Sequence, residues 1–291
     1  MPSRITLLLL GALTFVVPVP RVRAAEVVVV GDTQLKLVAE VVSGIRKTLR
    51  RSMSTYPPAE VKGHLLRVLE QERARLVIAL GRDALSEAQA LPSDIPVIYG
   101  FVLTPPAISR PNTTGVYMAT PVREYAELID KYLASIKSVA VVGSRDQLRV
   151  LDGSGPPRWD TYSVDSSVEL VDTLKRLKHR DAILLLPNPA LLTPAAMEET
   201  YLLSFRRGIP LLGVSEKQVR DGALLALVVD LSDLGRRIGE YASRVISGTP
   251  ISELPPAPAR HPELYLNTET ARKMGIRIPE AVLRAAKGVY P

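Results

Sequence analysis

The chain has 291 residues, 46% of them hydrophobic, no cysteine and a formal charge of +7. A chain of this composition folds, and it excludes disulfides, thiolate metal sites and a cysteine nucleophile. Its basic residues are scattered in helix-like stretches such as RKTLRR (46 to 51) and KRLKHR (175 to 180), with acidic neighbours and no interleaved aromatics, which points away from a nucleic-acid partner.

Arg4 precedes the apolar run ITLLLLGALTFVVPV, which is followed by RVRAAE. A run of about 15 residues is short for a membrane span, and Val22 and Ala24 supply the small residues of a cleavage site, so residues 1–24 read as a signal peptide. The alternative is a retained N-terminal anchor, because basic residues flank the run on both sides. Loss of Arg4, Arg21 and Arg23 with the signal leaves a net charge of +4. Export to the periplasm follows as an expectation, with no cysteine at the cleavage site to carry a lipid.

From Glu26 onward, short apolar runs rich in β-branched residues alternate with stretches of helical spacing. EVVVVGD (26 to 32) reads as a buried strand and residues 33–51 as a helix; residues 58–74 read as a second helix, and LVIALG (76 to 81) as the next strand. The helix DALSEAQAL, the strand IPVIYGFV (95 to 102), the short strand TTGVYM (113 to 118) and a helix over residues 121–136 complete a first set. A second set runs through SVAVVGS, DTYSV, a helix over 166–179, DAILLLPN, a helix over 193–208, IPLLGVS and GALLALVVD. Nearly continuous apolar strands, each followed by a helix, are the pattern of parallel sheets covered on both faces. A helix over 233–248 then leads into the proline-rich PPAPARHP (255 to 262) and a closing strand and helices.

In such sheets ligands collect at the carboxyl ends of the strands, so the candidate binding residues are those of the strand-to-helix turns. They are Asp32, Thr33, Gly81, Arg82, Asp83, Tyr99, Phe101, Thr104, Asn188, Ser215, Glu216 and Asp230. Asp83, Ser215 and Asp230 also stand where helix caps are expected. No catalytic residue, cofactor or metal is assigned: GxSxG, HExxH and a glycine-rich phosphate loop are all missing, and His64, His179 and His261 read as surface residues.

Three segments resemble a known family. IPVIYGFVLTPP with PNTTGVYM, IPLLGVSEKQVRDGALLALVVDLSDLGRRIGEYASRVISG, and ELYLNTETARKMGIRIPEAVLRAA are similar to segments of the ABC transporter substrate-binding proteins of the tryptophan- and tyrosine-binding type. The resemblance spans, with gaps, nearly the whole chain after the signal. Thr104 stands where that family carries an acid, and the stretches around residues 54–58 and 145–158 are short against it. The resemblance implies an α/β fold of type I periplasmic binding protein architecture, with two Rossmann-like lobes carrying parallel sheets. Lobe 1 would comprise residues 25–119 with 231–249, and lobe 2 residues 120–230 with 250–291. Hinges are expected near 118–121, 230–232 and 255–262. It further implies a monomer that captures a small amino acid-like solute between the lobes and passes it to a membrane permease. The alternative is a sensing module of the same fold that reports to a membrane receptor or kinase. Within this reading Arg82 would pair with a ligand carboxylate, Asp230 with an amino group, Tyr99 or Phe101 would stack, and Asn188 and Ser215 would donate or accept hydrogen bonds.

Overall fold

The computed structural model describes residues 25–108, 110–150, 159–177 and 180–291; the expected signal segment and His179 lie outside the described residues. The first run of elements is β1 (Val27–Val30), α1 (Lys36–Thr48), β2 (Met53–Tyr56), α2 (Pro58–Val61), α3 (Leu65–Glu72), β3 (Leu76–Leu80), α4 (Arg82–Gln89), β4 (Val97–Gly100) and β5 (Thr113–Tyr117). The second is α5 (Val122–Tyr132), β6 (Val139–Gly143), α6 (Arg145–Val150), β7 (Trp159–Ser163), α7 (Ser167–Arg176), β8 (Ala182–Leu185), α8 (Pro194–Arg207), β9 (Leu211–Gly213), α9 (Glu216–Arg220) and β10 (Leu225–Val228). The closing run is α10 (Leu231–Ile246), β11 (Ala257–Pro258), β12 (Glu263–Asn267), α11 (Thr268–Lys273), α12 (Glu280–Ala285) and β13 (Gly288–Tyr290).

Two sheets result, each the core of a lobe. The first has the order β11-β5-β4-β3-β1-β2 and is parallel throughout. The second, β13-β12-β10-β9-β8-β6-β7, is parallel except where β12 runs against β10. This is the two-lobed, Rossmann-like architecture that the sequence resemblance implies.

The period of two along each strand splits the side chains between opposite faces. Val27 and Val29 face one cluster with α1 and α10, while Val28 and Val30 face another with α3 and α4. The second sheet is covered in the same way, by α5 and α12 on one face and α7 and α8 on the other. Both faces being dry explains why the strands read as unbroken apolar runs.

Helix α10 follows the second sheet in the chain but packs on α1 of the first lobe. Glycine makes the approach possible, because a Cβ on Gly44 would lie 2.9 Å from Gly235 Cα and against the Ser232 carbonyl. The chain therefore crosses between lobes three times, at 118–121, 229–230 and 259–262.

Several boundaries differ from the sequence expectation. Residues 58–74 form two helices, because Gly63 takes a φ of +72° and the left-handed turn separates α2 from α3. β2 and β13 are edge strands over stretches not read as strands. The segment after residue 250 stays with the first lobe, where β11 pairs with β5, and returns to the second only at β12.

Candidate functional site

The cleft between the lobes is built from the carboxyl ends of four strands. β3 ends at Gly81, whose φ of +90° favours glycine, and the chain turns at once into α4 with Arg82 and Asp83 in its first turn. β4 ends at Gly100, followed by Phe101 with a φ of +56°. From there the loop through Thr104 runs beside the first crossing: Met118 N–H donates to Val102 O at 2.8 Å, and Ala119 N–H to Leu103 O at 2.8 Å.

On the second lobe β6 delivers Ser144 and β8 delivers Pro187 and Asn188. Gln147, in the first turn of α6, joins these two turns. Its Oε1 accepts from Ser144 N–H at 3.0 Å and from the Ser144 hydroxyl at 3.1 Å, and its Nε2 donates to Pro187 O at 2.7 Å. Asn188 Oδ1 accepts from Ala190 N–H at 3.0 Å and closes its own turn.

These residues wall a cavity of about 450 Å³, with Arg82, Phe101 and Thr104 from the first lobe facing Ser144, Gln147 and Asn188 from the second. Its size falls in the range of small-molecule sites. Arg82 is exposed and makes no ion pair among the described residues, whereas Asp146 at the opposite rim pairs with Arg149 at 3.8 Å. The site thus offers one free cation and several neutral hydrogen-bonding groups, a set suited to one anionic group on a small organic ligand. A larger groove of about 710 Å³ lies behind the crossings, between α5 and β12. It lacks a wall from the first lobe, and Glu263 within it is held by Lys287 at 3.1 Å.

Arg82, Phe101, Thr104 and Asn188 are thus brought together. Asp32, Gly81 and Asp83 line an adjoining first-lobe pocket of about 360 Å³ that shares Arg82 and Phe101 with the cleft. Thr33 is exposed next to it and lines neither.

Four expectations are corrected by their surroundings. Tyr99 is 2% exposed and belongs to the core between the sheet and α3 and α4. Burial, with Tyr117 and Tyr241 nearby, pushes its hydroxyl up to about 12; no face is left for stacking. Ser215 caps α9, accepting from Gln218 N–H at 3.3 Å. Glu216 is bound by Arg220 and the Tyr290 hydroxyl, and hydrogen bonds from Tyr290 and Arg220 hold its carboxyl below the ordinary range. Asp230 caps α10, accepting from Asp233 N–H at 3.0 Å, and is not part of the cleft wall. Gln147 was missed, although Ser144 and Gln147 have the three-residue spacing of a capping box.

Among the described residues no group of three or more His, Asp or Glu is placed to hold a metal ion.

Comparison with known proteins agrees with this fold. Residues 158–290 match the family model described as ABC transporter substrate binding protein. The family resemblance read from the sequence holds. A curated relative, a tyrosine-binding protein of Clostridioides difficile (strain R20291), is 21% identical over 223 residues, which cover 71% of this chain and 64% of that protein. Among solved structures, an ABC domain in complex with L-Trp from Streptococcus pneumonia is 20% identical with a TM-score of 0.57, over 90% of this chain and 98% of the other. A ligand-free, open substrate-binding protein with adhesive properties from Clostridium difficile is 15% identical with a TM-score of 0.67, over 91% and 99%. At these identities the two structures show the fold. The matched model is that of a substrate-binding protein, and the fold is shared with these structures.

Proposed function

We propose that the chain is the exported solute-binding protein of an ABC-type transport system, holding a small amino acid-like carboxylate between its lobes for delivery to a membrane permease. The observation that carries this reading is the exposed Arg82, without an ion pair among the described residues, facing the polar second-lobe turns across the cleft. The relatives named for tyrosine binding and for an L-Trp complex support the choice of ligand class. The apolar N-terminal run supports export. Three crossings between the lobes provide the hinge on which the cleft closes and removes the ligand from water.

The test is a thermal-shift screen of residues 25–291 against amino acids and other small carboxylates, followed by titration calorimetry on the best ligand. A ligand at a hundred times its dissociation constant adds about 2.7 kcal/mol of stability. Arg82→Ala should then cost about 1.5 to 3 kcal/mol of binding if the charge-assisted bond is made. Equal affinity in the variant would remove Arg82 from the site, and no response to any carboxylate would remove the ligand class.

A further inference from the structure

The first-lobe pocket next to the cleft is left unused by a compact ligand lying between the lobes. It lies at the ends of β1 and β3, where the strand order reverses because β2 and β3 flank β1 on opposite sides. In open parallel sheets that crevice is where ligands enter. Its wall is largely apolar, made by Leu35, Val38, Pro57, Pro58, Ala59 and Leu80. At its mouth Leu35 is 56% exposed, a large apolar side chain in water at the edge of a concavity.

The two carboxylates on its rim have roles of their own. Asp32 Oδ1 accepts from Gln34 N–H at 3.0 Å and closes its own turn. Asp83 stands in the first turn of α4, where a negative charge complements the helix N-terminus. Neither is required as a ligand partner, so the pocket's remaining character is apolar.

Among the described residues only two wall both this pocket and the cleft, Arg82 and Phe101. Phe101 is a bulky residue held at a φ of +56°, a conformation that costs energy and collects at functional positions. Its ring lies beside Gly81, where an added Cβ would come within 3.9 Å of Phe101 Cδ1. The ring therefore sits at the boundary between the two spaces, with the free guanidinium beside it.

Resting on the reading of Arg82 as a carboxylate partner, we infer that the first-lobe pocket is a second subsite that receives the apolar arm of an extended carboxylate, and that Phe101 sets how much of the arm passes. The ligand lies with its carboxylate at Arg82 and its arm past the Phe101 ring, against Leu35 and Val38. A ligand of this shape covers the exposed Leu35, which a compact one leaves in water.

The experiment uses butanoate, hexanoate and octanoate with residues 25–291, read by calorimetry and by the methyl resonances of Leu35 and Val38. Affinity should rise about fourfold per added methylene while the arm is being buried, and octanoate should shift both sets of methyl signals. Ala59→Trp, which places a large ring in the pocket from an exposed position, should abolish the dependence on length. Phe101→Ala should steepen it. Binding that depends on Arg82 but is independent of length, with the Leu35 and Val38 methyls unmoved, would overturn the second subsite and leave the proposed function standing. Absence of binding by all three, while compact amino acids bind, would likewise overturn it; if no carboxylate of any size binds, the Arg82 reading falls and takes this inference with it. Should Ala59→Trp fail to fold, the length series and the methyl signals of the unaltered protein decide alone.

Discussion

On the first-lobe face of the cleft, Arg82 and Asp83 are exposed, and Gly81 and Phe101 hold left-handed backbone. On the second-lobe face Gln147 is 8% exposed and uses both ends of its amide to lock Ser144 to Pro187. The first face leaves the Arg82 guanidinium without an ion pair among the described residues, while the second has already spent some of its side-chain groups on fixing its shape. Such a division lets one lobe act as a preset wall, whose ordering cost was met on folding, while the other supplies the charge that seeks the ligand. The rigidity of the first lobe must then come from elsewhere, and its source is the α1–α10 contact, where Gly44 and Gly235 let two backbones meet.

That assignment can be broken most severely at Gly235. A Cβ there would lie 2.9 Å from Gly44 Cα and against the Val41 carbonyl, with backbone on both sides and no flexible side chain to give way. Gly235→Val should cost about 3 kcal/mol, seen as a lower midpoint in urea with an intact second lobe by tryptophan fluorescence of Trp159, the chain's single tryptophan. An unchanged midpoint would mean that α10 is free to move off α1 and that the first lobe draws its rigidity from another contact.

The converse change loosens the second face. Gln147→Leu removes the acceptor used by Ser144 and the donor to Pro187 O, and leaves those groups to find water at the cleft wall. The expected loss is about 2 kcal/mol, together with faster amide exchange at Ser144 and weaker ligand binding. Unaltered exchange would show that the two turns hold their shape without the bridge.

How far this division was legible in the sequence differs between fold and site. The inner strands announced themselves because both faces of each sheet are dry, so that VVVV, LVIAL and VAVVG carry no polar interruption. β2 is MSTY, half-buried along its length at the sheet edge, and one-sided burial with mixed polarity gives no comparable signal. For the site, reading the turns at strand ends picked out Arg82, Phe101, Thr104 and Asn188, which the structure places around one cavity. It could not say which turns face each other, since that depends on strand order. β6 and β8 flank the switch point of the second sheet, while β9 and β10 lie farther along it, so Ser144 and Asn188 line the cleft, and Ser215 and Asp230 serve as caps. Of the two aromatics expected to stack, Tyr99 lies within β4 and packs into the core, whereas Phe101 lies past the strand's end, where a φ of +56° breaks the alternation and leaves it at the boundary of the cleft.

The same two strands are also fixed at their far ends, and this gives the smallest and most specific test of a preset second lobe. Asp181, just before β8, has one oxygen that accepts from the backbone N–H groups of Lys137 and Ser138, each at 2.8 Å, and from the Ser138 hydroxyl at 3.0 Å, just before β6. Burial pushes the Asp181 carboxyl up, but these hydrogen bonds and the charge of Lys137 outweigh it and hold the group below its ordinary value of 3.8. A carboxyl with a depressed folded-state pKa stabilises the fold above its ordinary pKa, and that contribution fades as pH falls through the ordinary value toward the folded one. Asp181→Asn keeps an acceptor but loses its charge, and should cost about 1 kcal/mol at pH 7. Urea midpoints measured from pH 6 down to pH 2 should show the gap between variant and parent narrowing once the pH drops below about 4. A gap that stays constant over that range would mean that the clamp works through shape alone and that the charge contributes nothing to holding β6 against β8.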